Sequence, residues 1–281
     1  MTHNMEGKLT ESAVGRLAGC DNPRMKQLLE AVIRHLHALV REVEPTPEEW
    51  FAAISFLTAT GQNCDEQRQE FILLSDVLGV SMLVDAINHR KPAGATESSV
   101  LGPFYMEGAP EYDCGCDLAP EEEDKVTVAG MVRGTDGRPI PNALLDVWQT
   151  APDGRYHMQD ASQQEFHLCG RIHVGADGRY SFSTVKPVSY PVPTDGPVGS
   201  LLRATGRHAM RPAHIHFIVS APGYERLVTQ LFTQGDEYIG TDTVFGVKES
   251  LIVPYREDGT DAGGHARYRV DFNFVLEPSA G

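Results

Sequence analysis

The stretch Thr205 to Ser220, TGRHAMRPAHIHFIVS, sets His214 and His216 two residues apart at the head of the apolar run Phe217-Ile218-Val219. Side chains repeat every two residues along a β-strand, so both imidazoles project from one face, roughly 6–7 Å apart along the chain. Two imidazoles on one wall can share a metal ion without distorting the strand. Arg211-Pro212 just upstream adds a cation and a stiff approach. A polar face on an edge strand accounts for the same pattern, because so short a motif is often matched by chance. The rest of the chain has to separate the two readings.

Other residues suited to chemistry lie near turns. Trp148 precedes Gln149-Thr150-Ala151-Pro152-Asp153-Gly154-Arg155-Tyr156, which leaves Tyr156 just past a strand end and a turn. Tyr190 sits in the proline-framed loop Lys186-Pro187-Val188-Ser189-Tyr190-Pro191-Val192-Pro193. Gln230 and Arg211 form a polar pair flanking the histidine strand. Two phenolates and two neutral imidazoles neutralise most of a trivalent, oxygen-loving ion, so ferric iron suits such a set better than zinc. Singly, each tyrosine is also explained as structural, its hydroxyl bonded to backbone.

Two kinds of texture must position these residues. Residues 23–43 read as an amphipathic helix through Leu28, Leu29, Val32, Ile33, Leu36, Leu39 and Val40. Thr46 with Glu49 is a capping box around Pro47, opening a helix expected to end at about Ala59 before Gly61. Further helices are expected over 65–76 and 78–90. From Lys91 glycine and proline become frequent, and short β-rich runs appear at 126–134, 143–150, 179–185, 213–220, 226–232 and 267–276. Turn signals such as Asp136-Gly137, Asp177-Gly178 and Pro222-Gly223 separate them. The expected fold is mainly β: a helical N-terminal domain over 1–95, then an antiparallel β-sandwich over 96–281 that carries the metal site. The run Glu121-Glu122-Glu123-Asp124 reads as a solvated loop.

With 281 residues and a formal charge of -15, the chain has ample length for a core and repels nucleic-acid phosphates and anionic membranes. No apolar leader opens it, and no apolar run reaches membrane-spanning length. Five scattered cysteines, Cys20, Cys64, Cys114, Cys116 and Cys169, read as reduced thiols in a cytoplasmic protein.

The strings LGPFY, DVWQTAPDGRY, GRYSFSTVKPVSYPVPTDGPVG and RPAHIHFIVSAPG resemble the intradiol ring-cleaving dioxygenases over nearly the whole chain. The resemblance implies that Tyr156, Tyr190, His214 and His216 hold Fe(III). It further implies a catecholic substrate and O2, with Tyr190 released to accept substrate protons, Arg211 stabilising charge on the reacting ring, and Gln230 orienting Arg211 and the histidines. The product implied is a muconic acid, formed through a cyclic anhydride.

The stretches FILLSDVLGVSMLVDAINH, GATESSVLGPF and DTVFGVKESLIV resemble the hydroxyquinol (1,2,4-trihydroxybenzene) branch. The pocket wall it implies comprises Leu73, Asp76, Val100, Leu101, Gly102, Pro103, Phe104, Val192, Pro193 and Val244. Asp76 has a physical rationale as acceptor for the third hydroxyl, since a ring lacking it would leave a buried carboxylate unpaired. A helix-surface position also accounts for Asp76, and Tyr105, after Phe104, discriminates little between branches. Catechol or chlorocatechol cleavage is the rival within the family; a non-catalytic β-sandwich binding module is the rival outside it. The resemblance also implies a homodimer through the helical domain, where the apolar stripe from Leu28 to Val40 is available, and leaves open a phospholipid at that interface.

Overall fold

The computed structural model describes residues 2–65, 68–119 and 123–279, with side chains from residue 6 onward. Its helices begin with α1 (Thr2–Gly15), α2 (Pro23–Val43), α3 (Pro47–Gln62), α4 (Glu70–Val77) and α5 (Val80–Asn88). There follow β1 (Glu111–Tyr112), β2 (Cys116–Asp117), β3 (Lys125–Gly134), β4 (Leu144–Trp148), β5 (Cys169–His173), β6 (Arg179–Val185) and β7 (Tyr190–Pro191). The chain ends with α6 (Pro197–Ala204), β8 (Met210–Arg211), β9 (His214–Ser220), β10 (Leu227–Thr233), β11 (Ile252–Val253), β12 (Arg256–Thr260), β13 (Ala266–Asp271) and β14 (Phe274–Leu276). Of the acidic run at 121–124, Glu121 and Glu122 lie outside the described residues.

Two compact units divide the chain, Met1–Ala59 and Thr60–Gly281. In the first, α2 starts where the Asn22 side chain accepts a hydrogen bond from the Met25 amide (3.0 Å) and ends at Glu44 in the left-handed region, φ 44°. The α1–α2 contact is polar: Thr10 Oγ1 lies 2.9 Å from His37 Nδ1 and accepts from Arg41 Nη1 at 2.9 Å. No residue of α2 is buried, and Leu28, Val32, Leu36 and Leu39 line an exposed stripe. The capping box of α3 is present: Glu49 N donates to Thr46 Oγ1 (3.2 Å) and Thr46 N to Glu49 Oε2 (2.8 Å). That helix continues through Gly61 to Gln62, beyond the expected stop, because one interior glycine costs a helix about 1 kcal/mol without ending it. α1 falls within the segment expected to be helical, although its apolar residues keep no helical stripe that would assign it individually.

The second unit carries α4 and α5, both shorter than expected, and two six-stranded sheets. One sheet runs β1-β5-β4-β9-β10-β11; the other runs β12-β13-β3-β6-β2, with β14 also paired to β3. The sheets are mixed, which corrects the expectation of a strictly antiparallel sandwich. β4–β5, β4–β9, β9–β10, β3–β6 and β12–β13 are antiparallel, but β13 and β14 run parallel to β3, as do β1 to β5, β2 to β6 and β10 to β11. A parallel pair needs a long crossover, and everything from β4 to β12 separates β3 from β13. The single strand expected over 267–276 is split at Phe272-Asn273. There the Phe272 carbonyl crosses Gly130 so closely that a Cβ on Gly130 would stand 1.7 Å from it, and only glycine admits that approach.

β9 is central, flanked by β4 and β10, which removes the edge-strand alternative for His-x-His. Its alternation sorts two environments. Ile215, Phe217 and Val219 face the main core with Val147, Phe182 and Phe274, each contributing about 1.5–3 kcal/mol by burial. His214 and His216 face the opposite side, where Trp148, Tyr156, Tyr190 and Ile218 form a second cluster.

Candidate active site

Strand register sets the histidines first. On β9, His214 pairs with Phe232 and His216 with Gln230, while Trp148 of β4 pairs with His216 from the other side. The Trp148 indole stacks on the His216 ring, 4.7 Å between centroids and 14° from parallel. His214 Nδ1 lies 2.7 Å from the Pro212 carbonyl, so Nδ1 carries the proton and Nε2 turns its lone pair inward.

Tyr156 comes from a turn. After β4, the Ala151 amide donates to the Arg155 carbonyl (2.8 Å) and Gly154 takes φ +81°, which swings Tyr156 back toward the sheet. A Cβ on Gly154 would lie 3.0 Å from the Tyr190 Cβ, so this turn and the Tyr190 segment fit closely. Tyr156 is then fixed by its amide on Gln159 Oε1 (3.0 Å) and by Phe104 stacked on its ring at 4.5 Å. Tyr190 belongs to the short strand β7, paired directly with Arg211 of β8, where the sequence suggested only a loop.

Four donor atoms converge. Tyr156 Oη lies 2.9 Å from Tyr190 Oη and 3.0 Å from His216 Nε2; His214 Nε2 lies 3.1 Å from His216 Nε2 and 3.5 Å from Tyr190 Oη. All four residues are at most 4% exposed. Donors about 3 Å apart are what one cation with bonds of about 2.0–2.2 Å gathers. Burial and then the Arg211 charge hold both imidazoles well below the usual histidine pKa, which keeps them neutral. Burial, then the neighbouring Tyr190, pushes the Tyr156 phenol well up, so ionising it here needs a cation beside it. Among the described residues no group of three or more His, Cys, Asp or Glu is arranged for a metal, so a metal at this place depends on the tyrosines. The donor set fits one.

Arg211 stands behind the donors, buried, with Nη1 3.0 Å from His214 Nε2 and 3.5 Å from Tyr190 Oη. Its Nη2 donates to Gln230 Oε1 (2.8 Å), and Gln230 Nε2 donates to the Val100 carbonyl (2.6 Å). Burial works against the guanidinium charge, but Asp242 and then Tyr190 hold its pKa above the ordinary arginine value. Sequence reasoning did not single out Asp242. Its partner lies 31 residues away, and only its place in DTVFGVKESLIV marked it.

Beside the donors a pocket is lined by Leu73, Asp76, Val100, Gly102, Pro103, Phe104, Val192, Pro193 and Val244, with Tyr190, Arg211 and His216 at its floor. Leu73 and Asp76 reach it from one face of α4. Asp76 is 5% exposed, not a helix-surface residue; desolvation raises its pKa, while a Ser81 hydrogen bond and the Arg211 charge oppose that. Leu101 is the exception. It lines an adjoining outer groove, which shares Asp76, Val100 and Gly102 with the pocket, and is 38% exposed. A cavity of ≈ 290 Å³ lined by Arg68, Gln69, Met158 and Gln159 adjoins the pocket through shared Leu73, Pro103, Phe104 and Pro193, and forms its mouth.

Comparison with known proteins gives the family. Residues 100–278 match the family model described as Dioxygenase, and residues 22–96 match Catechol dioxygenase N terminus. The chain belongs to the intradiol ring-cleaving dioxygenases. It is similar to the 6-chlorohydroxyquinol 1,2-dioxygenase of Cupriavidus pinatubonensis, 50% identical over 96% of this chain and 97% of that protein. It is also 50% identical to the hydroxyquinol 1,2-dioxygenase of a Rhizobium species, over 97% of this chain and 95% of that one. Among solved structures, the hydroxyquinol 1,2-dioxygenase of Pseudomonas putida DLL-E4 matches with TM-score 0.93 and 49% identity, covering 99% of this chain and 100% of the other. Within this dioxygenase all five cysteines are free thiols, and among the described residues no helix is long and apolar enough to cross a membrane.

Proposed function

We propose that this dioxygenase uses Fe(III), held by Tyr156, Tyr190, His214 and His216, to cleave hydroxyquinol with O2 to 3-hydroxy-cis,cis-muconate, the tautomer of maleylacetate. The convergence of two phenols and two neutral imidazoles within 2.9–3.5 Å carries the reading. Two phenolates favour a trivalent, oxygen-seeking ion. Ferric iron, when bound, supplies the Lewis acidity that makes an electron-rich ring reactive toward dioxygen.

The chain's own residues do the rest. Tyr190 is the phenol facing both Arg211 and the pocket, so its oxygen is placed to take a substrate proton. Arg211 Nη1 points at Tyr190 Oη and His214 Nε2 and stabilises negative charge that grows on the substrate. Gln230 holds Arg211 to the Val100 wall. Leu73, Val100, Phe104, Val192, Pro193 and Val244 exclude water and hold the ring edge toward Tyr190. Asp76 accepts a hydrogen bond from the third hydroxyl.

Oxygen uptake with hydroxyquinol and with catechol is the direct test. Faster use of hydroxyquinol, by a protein whose phenolate-to-iron absorption shifts when hydroxyquinol is added anaerobically, is expected. Faster use of catechol sinks the substrate assignment, and an iron-replete colourless protein sinks the ligand set.

The exposed apolar stripe of α2 supports a homodimer of the cytoplasmic protein through its helical domain. Sedimentation should give twice the chain mass of 30.8 kDa, falling to one chain mass in Leu36→Glu. A single-chain mass for the parent protein excludes the dimer. Mass spectrometry of a solvent extract decides whether a phospholipid shares that surface.

A further inference from the structure

We infer that Asp242 is the positioning residue that aims Arg211 at the reacting atoms and ties that aim to the Val244 wall of the pocket. The inference rests on the role given to Arg211 above. Asp242 lies in the turn after β10, its side chain buried against Arg211. Each carboxylate oxygen is shared between the arginine and backbone. Oδ1 accepts from Arg211 Nε (3.2 Å) and the Val244 amide (3.3 Å); Oδ2 accepts from Arg211 Nη2 (3.3 Å) and the Gly246 amide (2.9 Å). With Nε and Nη2 occupied by Asp242, and Nη2 also by Gln230, Nη1 is the edge left facing Tyr190 and His214. A guanidinium is planar and rigid, so fixing one edge fixes the other.

The turn is built for this contact. A Cβ on Gly246 would lie 3.0 Å from Arg211 Nη2, so glycine lets the backbone close on the guanidinium. Phe245 between them is held at φ +59°, a conformation uncommon for a bulky residue, with its amide bonded to the Asp242 carbonyl (3.0 Å). Ser99 Oγ donates to the Gly246 carbonyl (2.8 Å) and ties the turn to the segment that carries Val100. The carboxylate therefore balances the buried charge and sets both its direction and the adjoining wall.

The test compares wild type, Asp242→Asn, Arg211→Gln and the double variant, as iron-loaded proteins. Asp242→Asn should lower kcat for hydroxyquinol about tenfold or more, with KM changed far less and the visible band intact. In the Arg211→Gln background the same substitution should cost no further kcat, because Asp242 acts through Arg211. The neutral double variant should melt higher than Asp242→Asn, which leaves a buried charge unmatched. That comparison needs no turnover, so it tests the pairing even where hydroxyquinol is not the substrate, an outcome seen first as an inactive wild type. Unchanged kcat in Asp242→Asn, additive losses in the double variant, loss of the visible band, or absent coupling in melting each overturns the inference.

Discussion

Tyr156→Phe should lower kcat about 10³-fold and remove or displace the visible phenolate-to-iron band. Metal-assisted charge stabilisation contributes several kcal/mol, and each ~1.4 kcal/mol is tenfold in rate. The substitution isolates one atom. Phenylalanine keeps the ring stacked on Phe104 at 4.5 Å and edge-on to Tyr190 at 5.6 Å, while removing the oxygen that lies 2.9 Å from Tyr190 Oη and 3.0 Å from His216 Nε2. Circular dichroism should be unchanged. Oxygen uptake and the visible spectrum are the measurements, and a spectrum identical to wild type removes Tyr156 from the ligands.

Asp76→Ala should cut the preference for hydroxyquinol over catechol, as a ratio of kcat/KM values, about 10²-fold. Hydrogen bonds to charged groups contribute about 1.5–3 kcal/mol, and a polar group built to meet a substrate hydroxyl penalises the analogue lacking it. Asp76 lines the pocket with the apolar residues Leu73, Val100, Phe104 and Val244 and is 5% exposed, so a catechol ring leaves its carboxyl without a substrate partner. Alanine removes that penalty as well as the attraction, so catechol use should hold steady or rise while hydroxyquinol use falls. Retained preference would show that discrimination comes from the apolar lining instead.

Part of the candidate site was legible from local cues, while Tyr156 and Tyr190 were assigned through the family resemblance. His-x-His reads from the two-residue period of a strand, and Asp153-Gly154 marks the turn that releases Tyr156. The α2 boundaries were readable from its apolar stripe and the start of α3 from the Thr46–Glu49 capping box, since both patterns repeat within three or four residues. What failed was non-local. β5, with Gly170 and two basic residues in five, has little strand character of its own and forms by pairing with β4. Leu101 was grouped with its neighbours by sequence, but it lines the adjoining outer groove, 38% exposed, while Val100 and Gly102 line both that groove and the pocket.

The sequence by itself determined the donor types, their order along the chain and the change from helical to β-rich texture at Lys91. Those follow from side-chain chemistry and short-range periodicity. Tertiary structure decided that β9 is central rather than an edge, that β13 and β14 run parallel to β3, and that Asp242 meets Arg211. Each of these depends on which distant segments share a sheet or a turn. Spacing along the chain carries no such information; only the packed arrangement brings together the two histidines of β9, Tyr190 of β7 and Tyr156 from the turn after β4, with neighbouring donor atoms 2.9–3.5 Å apart.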